Sequence, residues 1–218
     1  MPVLGYIVLV LCAYLLGSIP TGYIVARAKG IDIRTVGSGN IGATNAFRVL
    51  GTPAGIFVLL ADALKGYVAC IWMTDLLISV FGLHPENLVT ERAFAGFAAI
   101  LGHTFTCWLR FKGGKGIATS AGVYAAVALP AAAIALGSWL IFFFSTRYVS
   151  LASIVAAVAL PAGVWATFGN HQSVALGIAT TALGAMVVWK HKGNIARLKA
   201  GTENRVNFGK KSSAGGKP

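Results

Sequence analysis

Residues 116–146 read GIATSAGVYAAVALPAAAIALGSWLIFFFST, an apolar stretch of 31 residues with Pro130 near its middle. A helix needs about 20 residues to cross the hydrocarbon core of a bilayer, so the stretch is long for one span and short for two. Proline removes a backbone donor and kinks or breaks a helix interior. These residues therefore form either one kinked helix or two short ones, and the number of membrane spans depends on which.

The remainder of the chain is equally apolar. Of 218 residues, 56% are hydrophobic and only 11% are charged. Further apolar runs occupy residues 3–26, 53–81, 92–109, 149–168 and 172–189. Runs of this length are typical of transmembrane helices. We predict one polytopic membrane domain over residues 1–203 and a flexible basic tail over 204–218. The first run lacks both a preceding basic residue and a small-residue cleavage site, which favours a retained span over a signal peptide.

The distribution of basic residues decides the number of spans. The net charge is +12, and 16 of the 18 basic residues lie in the segments 27–50, 110–115, 147 and 190–218. The other connections, around 82–92 and 169–172, contain only Arg92. Basic loops stay in the cytoplasm. Six spans would export the basic tail, whereas a break at Pro130 gives seven spans and keeps all 16 charges inside.

We therefore predict an all-α integral membrane protein with seven transmembrane helices, an external N-terminus and a cytoplasmic C-terminus. Both halves of residues 116–146 fall short of a full span, so we expect each to be short, tilted or buried against its neighbours.

Ionisable side chains also occur inside the apolar runs. Asp62 and Lys65 are three residues apart, on one face of the second predicted helix, and can form an ion pair. Charged groups in a span normally face protein or water. We favour a pair that fixes helix packing, and a direct role with substrate stays open. His103, in the third run, is expected to be a hydrogen-bonded structural histidine rather than a catalytic one. The three cysteines form no CxxC and predict neither a disulfide framework nor a metal site.

The first polar cluster, VGSGNIGATN at 36–45, has the GxGxxG spacing of a dinucleotide-binding loop. That interpretation requires a preceding strand within a βαβ unit, and no parallel-sheet pattern is present. Glycines at this density still permit positive φ angles and a concave array of N–H groups. Neutral polar groups and an arginine one turn further on suit a phosphate ester, with a plain interfacial turn as the alternative. The candidate ligands are Gly37, Ser38, Gly39, Asn40, Thr44, Asn45 and Arg48.

The second cluster, GHTFTCWLRFKGGKGIATSAG at 102–122, does not fit GxxxxGK[ST], because it has Leu109 and Gly116 at the decisive positions. A cationic, flexible segment remains at the start of the fourth predicted span. A helix that begins near Gly116 would direct its free N–H groups at an anion. The candidate residues here are Lys112, Gly113, Gly114, Lys115 and Gly116.

The third cluster, KHKGNIARLKAGTENR at 190–205, follows the last span. His191 and Asn194 share a helix face, Arg197 lies one turn further on, and Glu203 is one of only six acidic residues. None of the four histidines begins an HxxxxD motif, and no GxSxG motif is present.

Together these clusters resemble the bacterial acyl-phosphate:glycerol-3-phosphate acyltransferases, the PlsY family. The matching segments are GSGNIGATNAFRVLG at 37–51, GHTFTCWLRFKGGKGIAT at 102–119 and HKGNIARLKAGTE at 191–203, and DALKG at 62–66 is also similar. Trp108 departs from the pattern, where a smaller residue is expected. The resemblance implies transfer of a fatty acyl group from acyl phosphate to sn-glycerol 3-phosphate, without a covalent acyl-enzyme. The products would be lysophosphatidic acid and phosphate.

The resemblance also implies residue roles. The catalytic set, around the glycerol phosphate, would be Ser38, Arg48, Lys115, His191 and Asn194. The phosphate of the donor would be held by Thr44, Asn45 and the backbone of residues 113–116. Further substrate-binding residues would be Gly37, Gly39, Asn40, Lys112, Arg197 and Glu203. No cofactor, metal or protein partner is expected, and the site would face the cytoplasm from the bacterial cell membrane.

Two other functions fit parts of the pattern. A transporter of glycerol phosphate or another organic phosphate would also use broken helices and glycine loops, although the polar clusters lie on one side only. A binding or scaffold protein would explain the charges but not the accompanying Ser, Asn, Thr and His residues. Nucleic acid is not an expected partner, because the basic residues are dispersed among short loops of a membrane domain.

Overall fold

The computed structural model describes residues 2–84, 88–168 and 174–207, and every regular element within those ranges is helical. The first helices are α1 (Pro2–Ser18), α2 (Thr21–Arg27), α3 (Ala43–Leu50), α4 (Thr52–Val68), α5 (Thr74–Phe81) and α6 (Leu88–Thr104). They are followed by α7 (Ile117–Val127), α8 (Leu129–Thr146), α9 (Val149–Phe168), α10 (Val174–Lys190) and α11 (Lys192–Lys199). A π-helical turn, Ala69–Met73, joins α4 to α5.

The predicted break near Pro130 is confirmed. Helix α7 ends at Val127, and Ala128 has φ −152° and ψ 61°. Pro130 lies in the first turn of α8, where a missing N–H group breaks no helical hydrogen bond. Helix α7 is short and largely buried, as expected. The same expectation is wrong for α8. Because the chain breaks at Ala128, ahead of the proline, α8 reaches 18 residues and is long enough to cross a membrane.

Several helices can cross a bilayer. Within the described ranges, the segments long and apolar enough are Val3–Arg27, Thr52–Phe81, Leu129–Thr146 and Val149–Thr167. The pair α10 and α11, which meet at an angle of 54°, becomes a fifth if it is counted as one span. The protein is therefore a multi-pass membrane protein. The seven crossings and the orientation of the termini stay predictions.

Glycines allow α4 and α7 to touch backbone to backbone. A Cβ atom at Gly122 would lie 1.8 Å from the Ala63 carbonyl oxygen, and one at Gly66 would lie 2.4 Å from the Thr119 carbonyl oxygen. Close contact through small residues is the usual way in which membrane helices associate. This packing fixes the start of α7 beside α4.

The backbones of α1 and α6 also lie in close contact at a glycine. A Cβ atom at Gly17 would lie 2.0 Å from the Ala99 carbonyl oxygen. At the end of α6, Thr106 Oγ1 donates to the Ser18 carbonyl oxygen at 2.6 Å. This bond ties the segment after α6 to the break between α1 and α2.

The predicted ion pair is confirmed, since Lys65 Nζ lies 2.9 Å from Asp62 Oδ1 and both side chains are buried. The flexible tail over 204–218 stays a prediction, and two contacts are made by its first residues. Val206 N–H donates to the Arg147 carbonyl oxygen at 2.9 Å. The Arg205 guanidinium lies 4.8 Å from the centre of the Tyr148 ring. These contacts dock the segment on the turn between α8 and α9, while residues 208–218 lie outside the described ranges.

Candidate active site

The three polar clusters of the sequence come together at one end of the helices. Lys115 Nζ donates a hydrogen bond to Asn194 Oδ1, which joins the second cluster to the third. The positive charge of Arg48, at the end of α3, lies close enough to Lys115 to lower its pKa. The first cluster therefore shares the same electrostatic environment, and all three belong to one site.

The first loop is shaped by two glycines in the left-handed region. Gly37 has φ +62° and Gly39 has φ +67°, and both favour a residue without a side chain. Gly42 has φ −79°, so the expectation of positive φ applies to two of the three glycines. Gly42 instead caps α3, and Thr44 follows in the first turn with its side chain exposed. Ser38 is also exposed, on the rim of the loop.

Asn45 holds this loop from within. Its Oδ1 accepts the Ser38 N–H at 2.8 Å, and its Nδ2 donates to the carbonyl oxygens of Ile33 and Val36. The side chain is 1% exposed. A buried amide with all these bonds made is not free for a ligand, so the expected contact of Asn45 with a phosphate is replaced by a structural role. Asn40 is half-buried, and its Oδ1 accepts the Gly42 N–H at 2.9 Å.

The second loop differs from expectation in which amides are free. Gly113 N–H donates to the Thr104 carbonyl oxygen at 3.2 Å, and Gly114 N–H donates to the His103 carbonyl oxygen at 3.0 Å. These two amides are therefore not available to a phosphate. The N–H groups of Lys115 and Gly116 form no hydrogen bond within the described residues, and Gly116 caps α7 with φ +84°. The anion-binding donors are thus those at the start of α7 itself. Lys112 is exposed beside them.

Lys115 is a weakly basic lysine. Burial, with the charges of Arg197 and Arg48 and against the opposing effect of Glu203, lowers its pKa to about 8. A lysine with this pKa is charged at neutral pH but loses its proton easily, which is common at functional sites.

His191 lies at the bend between α10 and α11 and is 2% exposed. Its Nδ1 is 2.8 Å from the Val187 carbonyl oxygen. A carbonyl can only accept, so Nδ1 carries the proton and Nε2 is the acceptor of the neutral ring. Burial, together with the charge of Lys115, lowers its pKa to about 4. His191 is therefore a neutral hydrogen-bonding group at pH 7.

Glu203 organises the third cluster. Its Oε1 accepts hydrogen bonds from Asn194 Nδ2 at 2.8 Å and from Ser150 Oγ at 2.9 Å, and its Oε2 accepts one from Arg197 Nε at 2.7 Å. These bonds lower the pKa of the Glu203 carboxyl group. Ser150, near the start of α9, was not predicted from sequence, because it lies in an apolar run and no polar motif surrounds it in the chain.

The charges of the site do not cancel. Arg48, Lys115 and Arg197 contribute three positive charges against the single carboxylate of Glu203. Arg48 is exposed and forms no ion pair in the parts of the chain that the structure describes. An excess of about two positive charges with free helix N–H groups matches a phosphate monoester, which carries −1.5 to −2 at pH 7. Among the described residues, no group of three His, Cys, Asp or Glu side chains could hold a metal ion.

Comparison with known proteins identifies the family of the chain. A family model described as glycerol-3-phosphate acyltransferase matches residues 7–201. A glycerol-3-phosphate acyltransferase of Geotalea daltonii is 46% identical over 91% of this chain and 96% of its own length. One of Fusobacterium nucleatum is 40% identical, over 94% and 100%.

Solved structures give the same result. The crystal structure of PlsY (YgiH), an integral membrane glycerol 3-phosphate acyltransferase, in its glycerol 3-phosphate form superposes with a TM-score of 0.80 at 39% identity. That match covers 93% of this chain and 96% of the other. The form with lysophosphatidic acid gives a TM-score of 0.77 at 38% identity, covering 93% and 95%. Family match, identity and fold agree across nearly the whole length, and the chain belongs to the glycerol-3-phosphate acyltransferase family of membrane enzymes, of the PlsY type.

Proposed function

We propose that this enzyme transfers a fatty acyl group from acyl phosphate to sn-glycerol 3-phosphate and releases lysophosphatidic acid and inorganic phosphate. The observation that carries the proposal is the proximity of Arg48, Lys115 and the His191–Asn194 segment, with an excess of positive charge. The related crystal structures are of a glycerol 3-phosphate form and a lysophosphatidic acid form, and these molecules are the expected acceptor and product.

Both proposed substrates carry a phosphate, and the site offers two kinds of anion-binding group. The side chains of Arg48, Lys115 and His191 suit the acceptor phosphate and its hydroxyl groups. The free N–H groups at the start of α7 suit the donor phosphate, and the exposed side chains of Thr44 and Lys112 are proposed to assist them. Fixed donors that surround the leaving phosphate and the carbonyl oxygen would stabilise the charge that develops there.

The acyl chain would lie in lipid-facing apolar surface. A groove between α4 and α7 is lined by Phe57, Leu60, Leu64 and Tyr67, with Gly122 at its floor. It adjoins the helix whose N-terminus carries Gly116, so an acyl chain in this groove could keep its carbonyl carbon near Lys115. Holding the glycerol hydroxyl beside that carbon can lower the activation free energy by about 7–11 kcal/mol.

The transfer is proposed to be direct, without an acyl-enzyme. A serine nucleophile needs an adjacent base, and Ser38 Oγ forms no hydrogen bond with a histidine in any described part of the chain. Acyl phosphate is already activated, because phosphate is a good leaving group. The glycerol oxygen would attack the acyl carbon, the carbon–oxygen bond to phosphate would break, and the hydroxyl proton would pass to a phosphate oxygen.

His191 is proposed to orient the acceptor rather than to remove its proton. A base works best when its pKa is near the working pH, and the pKa of His191 is about 4. Its Nε2 atom can accept a hydrogen bond from the glycerol hydroxyl. A substrate phosphate, with a second pKa near 6, is the better proton acceptor.

The proposed topology has seven crossings, with the site and the C-terminus in the cytoplasm of a bacterial cell membrane. It is supported by the 16 basic residues that it keeps on one side. Single cysteines introduced at Lys112 and at Glu86 in a cysteine-free background would test it. A membrane-impermeant thiol reagent should label the Glu86 position in intact cells and the Lys112 position only after lysis.

The decisive experiment offers the purified enzyme, in detergent, acyl phosphate, acyl-CoA and acyl carrier protein thioester separately with labelled glycerol 3-phosphate. Labelled lysophosphatidic acid from acyl phosphate alone is the expected result. Product from a thioester would overturn the donor assignment. Uptake of glycerol 3-phosphate into liposomes without a lipid product would support a transporter instead.

A further inference from the structure

A buried polar cluster lies behind the second loop, residues 112–116 (the glycine loop). The cluster is not part of the site described above. Asp62 Oδ1 is 2.9 Å from Lys65 Nζ, 3.1 Å from Thr21 Oγ1 and 3.6 Å from His103 Nδ1. Lys65 Nζ also donates to the Ile19 carbonyl oxygen at 2.9 Å. The cluster therefore joins the break between α1 and α2 to α4 and α6.

These side chains are closed off from substrate. Asp62 is 2% exposed, Lys65 is 6% exposed and His103 is 5% exposed. Ionised side chains are costly in such surroundings, and a buried ion pair seldom adds stability over well-packed apolar residues. The cluster is thus more useful for fixing one arrangement of neighbouring segments than for stabilising the fold.

The far side of the His103 ring contacts the loop that carries Lys115. A Cβ atom at Gly114 would lie 2.1 Å from His103 Nε2, so the ring packs directly against the Gly114 backbone. The Gly114 N–H also donates to the His103 carbonyl oxygen at 3.0 Å. The residue next to Lys115 is therefore held by both the side chain and the backbone of His103.

We propose that Asp62, Lys65 and His103 are positioning residues that fix the glycine loop and thereby set the location and solvation of Lys115. Lys65 holds the Asp62 carboxylate, the carboxylate faces Nδ1 of the imidazole at 3.6 Å, and the opposite edge of the ring contacts Gly114. The consequence for catalysis rests on the proposed function, but the position of Lys115 can be measured without turnover.

The readout is the ionisation of Lys115. Competitive acetylation with acetic anhydride over a pH series, followed by mass spectrometry, gives a labelling midpoint that does not depend on accessibility. Lys112, exposed in the same loop, is the internal reference. The groups that face Lys115 are Arg48, Arg197, Glu203 and His191. Loosening the loop would admit water, so the Lys115 midpoint should rise from about 8 toward the ordinary lysine value of 10.5.

A compensating pair makes the test specific. Gly114→Ala should push the loop away from His103. The double variant Gly114→Ala with His103→Ala should recover part of the lost kcat/KM, because the missing ring leaves room for the methyl group. Gly113→Ala is the matched control, since its Cβ atom would lie 2.1 Å from the His103 backbone carbonyl oxygen, which His103→Ala does not remove. We expect Gly114→Ala to lower kcat/KM at least tenfold, mainly through KM, with at least threefold recovery in the double variant.

Two further variants keep the test clear of misfolding. Asp62→Asn is nearly isosteric and should raise the Lys115 midpoint with a small change in melting temperature. Arg92→Gln breaks another ion pair between the second and third spans, at 3.0 Å from Asp75, and should leave Lys115 unchanged. An unchanged Lys115 midpoint in both Asp62→Asn and Gly114→Ala would overturn the proposal. Recovery of kcat/KM when His103→Ala is added to Gly113→Ala would also overturn it. A shifted midpoint in a protein that makes no lysophosphatidic acid would refute the proposed function alone.

Discussion

Asn194 and Glu203 are joined by a hydrogen bond of 2.8 Å, in which Asn194 Nδ2 donates to Glu203 Oε1. The other end of the same amide accepts the bond from Lys115 Nζ. One buried amide therefore connects the lysine at the start of α7 to the segment after α11. The position of the cationic group depends on contacts that are distant in the chain.

Replacing Asn194 should be severe. Asn194→Ala removes the hydrogen bond of Lys115 and one of the three hydrogen bonds to Glu203, and each hydrogen bond to a charged group is worth about 1.5–3 kcal/mol. We expect kcat/KM to fall roughly 10²- to 10³-fold, measured with purified enzyme. Lys199→Ala, an exposed residue on the same helix, should stay within twofold of wild type. Equal losses in the two variants would contradict this role.

The pH profile should have an alkaline limb that reports Lys115. Its pKa is about 8, so the charged form dominates below that pH and is lost above it. Activity should therefore fall as pH rises through 8. Removing the positive charge in Arg48→Gln should raise the pKa of Lys115 and move the limb to higher pH. Removing the carboxylate in Glu203→Gln should move it to lower pH. Shifts of the same sign in both variants would exclude Lys115 as the group responsible.

Histidine 191 should tolerate glutamine better than alanine. Its pKa of about 4 keeps it neutral at pH 7, so its contribution is a hydrogen bond rather than proton transfer. We expect His191→Gln to keep kcat within about tenfold of wild type, whereas loss of a general base typically costs 10²- to 10⁴-fold. His191→Ala should lose more than His191→Gln. A Gln variant as inactive as the Ala variant would restore His191 as the base.

Sequence reasoning predicted the all-helical membrane fold well, for physical reasons, whereas the membership of the site stays a prediction. Apolar runs report membrane helices because lipid forbids unpaired backbone groups, and Pro130 reported a real break. The length of α8 was underestimated because the break is at Ala128, which has no sequence signal of its own.

The roles of single residues in the site were less predictable. Asn45 and Gly114 lie in the predicted motifs, yet their polar groups bond within the protein. A motif indicates where chemistry occurs but does not separate groups that face a ligand from groups that hold the loop. Ser150 had no local signal at all, because its partner Glu203 is 53 residues away in the chain.

Ser150 offers a direct test of that long-range contact. Ser150→Ala removes one of the hydrogen bonds to Glu203, and a bond to a charged acceptor is worth about 1.5–3 kcal/mol when lost. We expect kcat/KM to fall about tenfold. Ser145→Ala is the matched control, because the Ser145 hydroxyl bonds only to carbonyl oxygens of its own helix. If both variants behave alike, the contact with Glu203 has no part in positioning the site.

The first loop, residues 36–45, can be tested with two glycines that share a backbone conformation. Gly37 and Gly30 both have positive φ, at +62° and +73°, so alanine at either site carries a strain of about 1–2 kcal/mol. Only at Gly37 would the new Cβ atom collide with a neighbour, at 2.2 Å from Asn45 Oδ1. That oxygen accepts the Ser38 N–H, so the collision would release the loop.

Gly37→Ala should therefore lose more than 100-fold in kcat/KM, since misplacing a substrate-binding loop by about 1 Å can cost 10²-fold. Gly30→Ala should remain within a few-fold of wild type, because no atom of the described residues, other than those of its chain neighbours, lies within 4 Å of its Cβ position. The strain common to both variants cancels in the comparison, which leaves the Asn45 contact as the difference. Melting temperatures measured in the same detergent would show whether the two variants are equally folded.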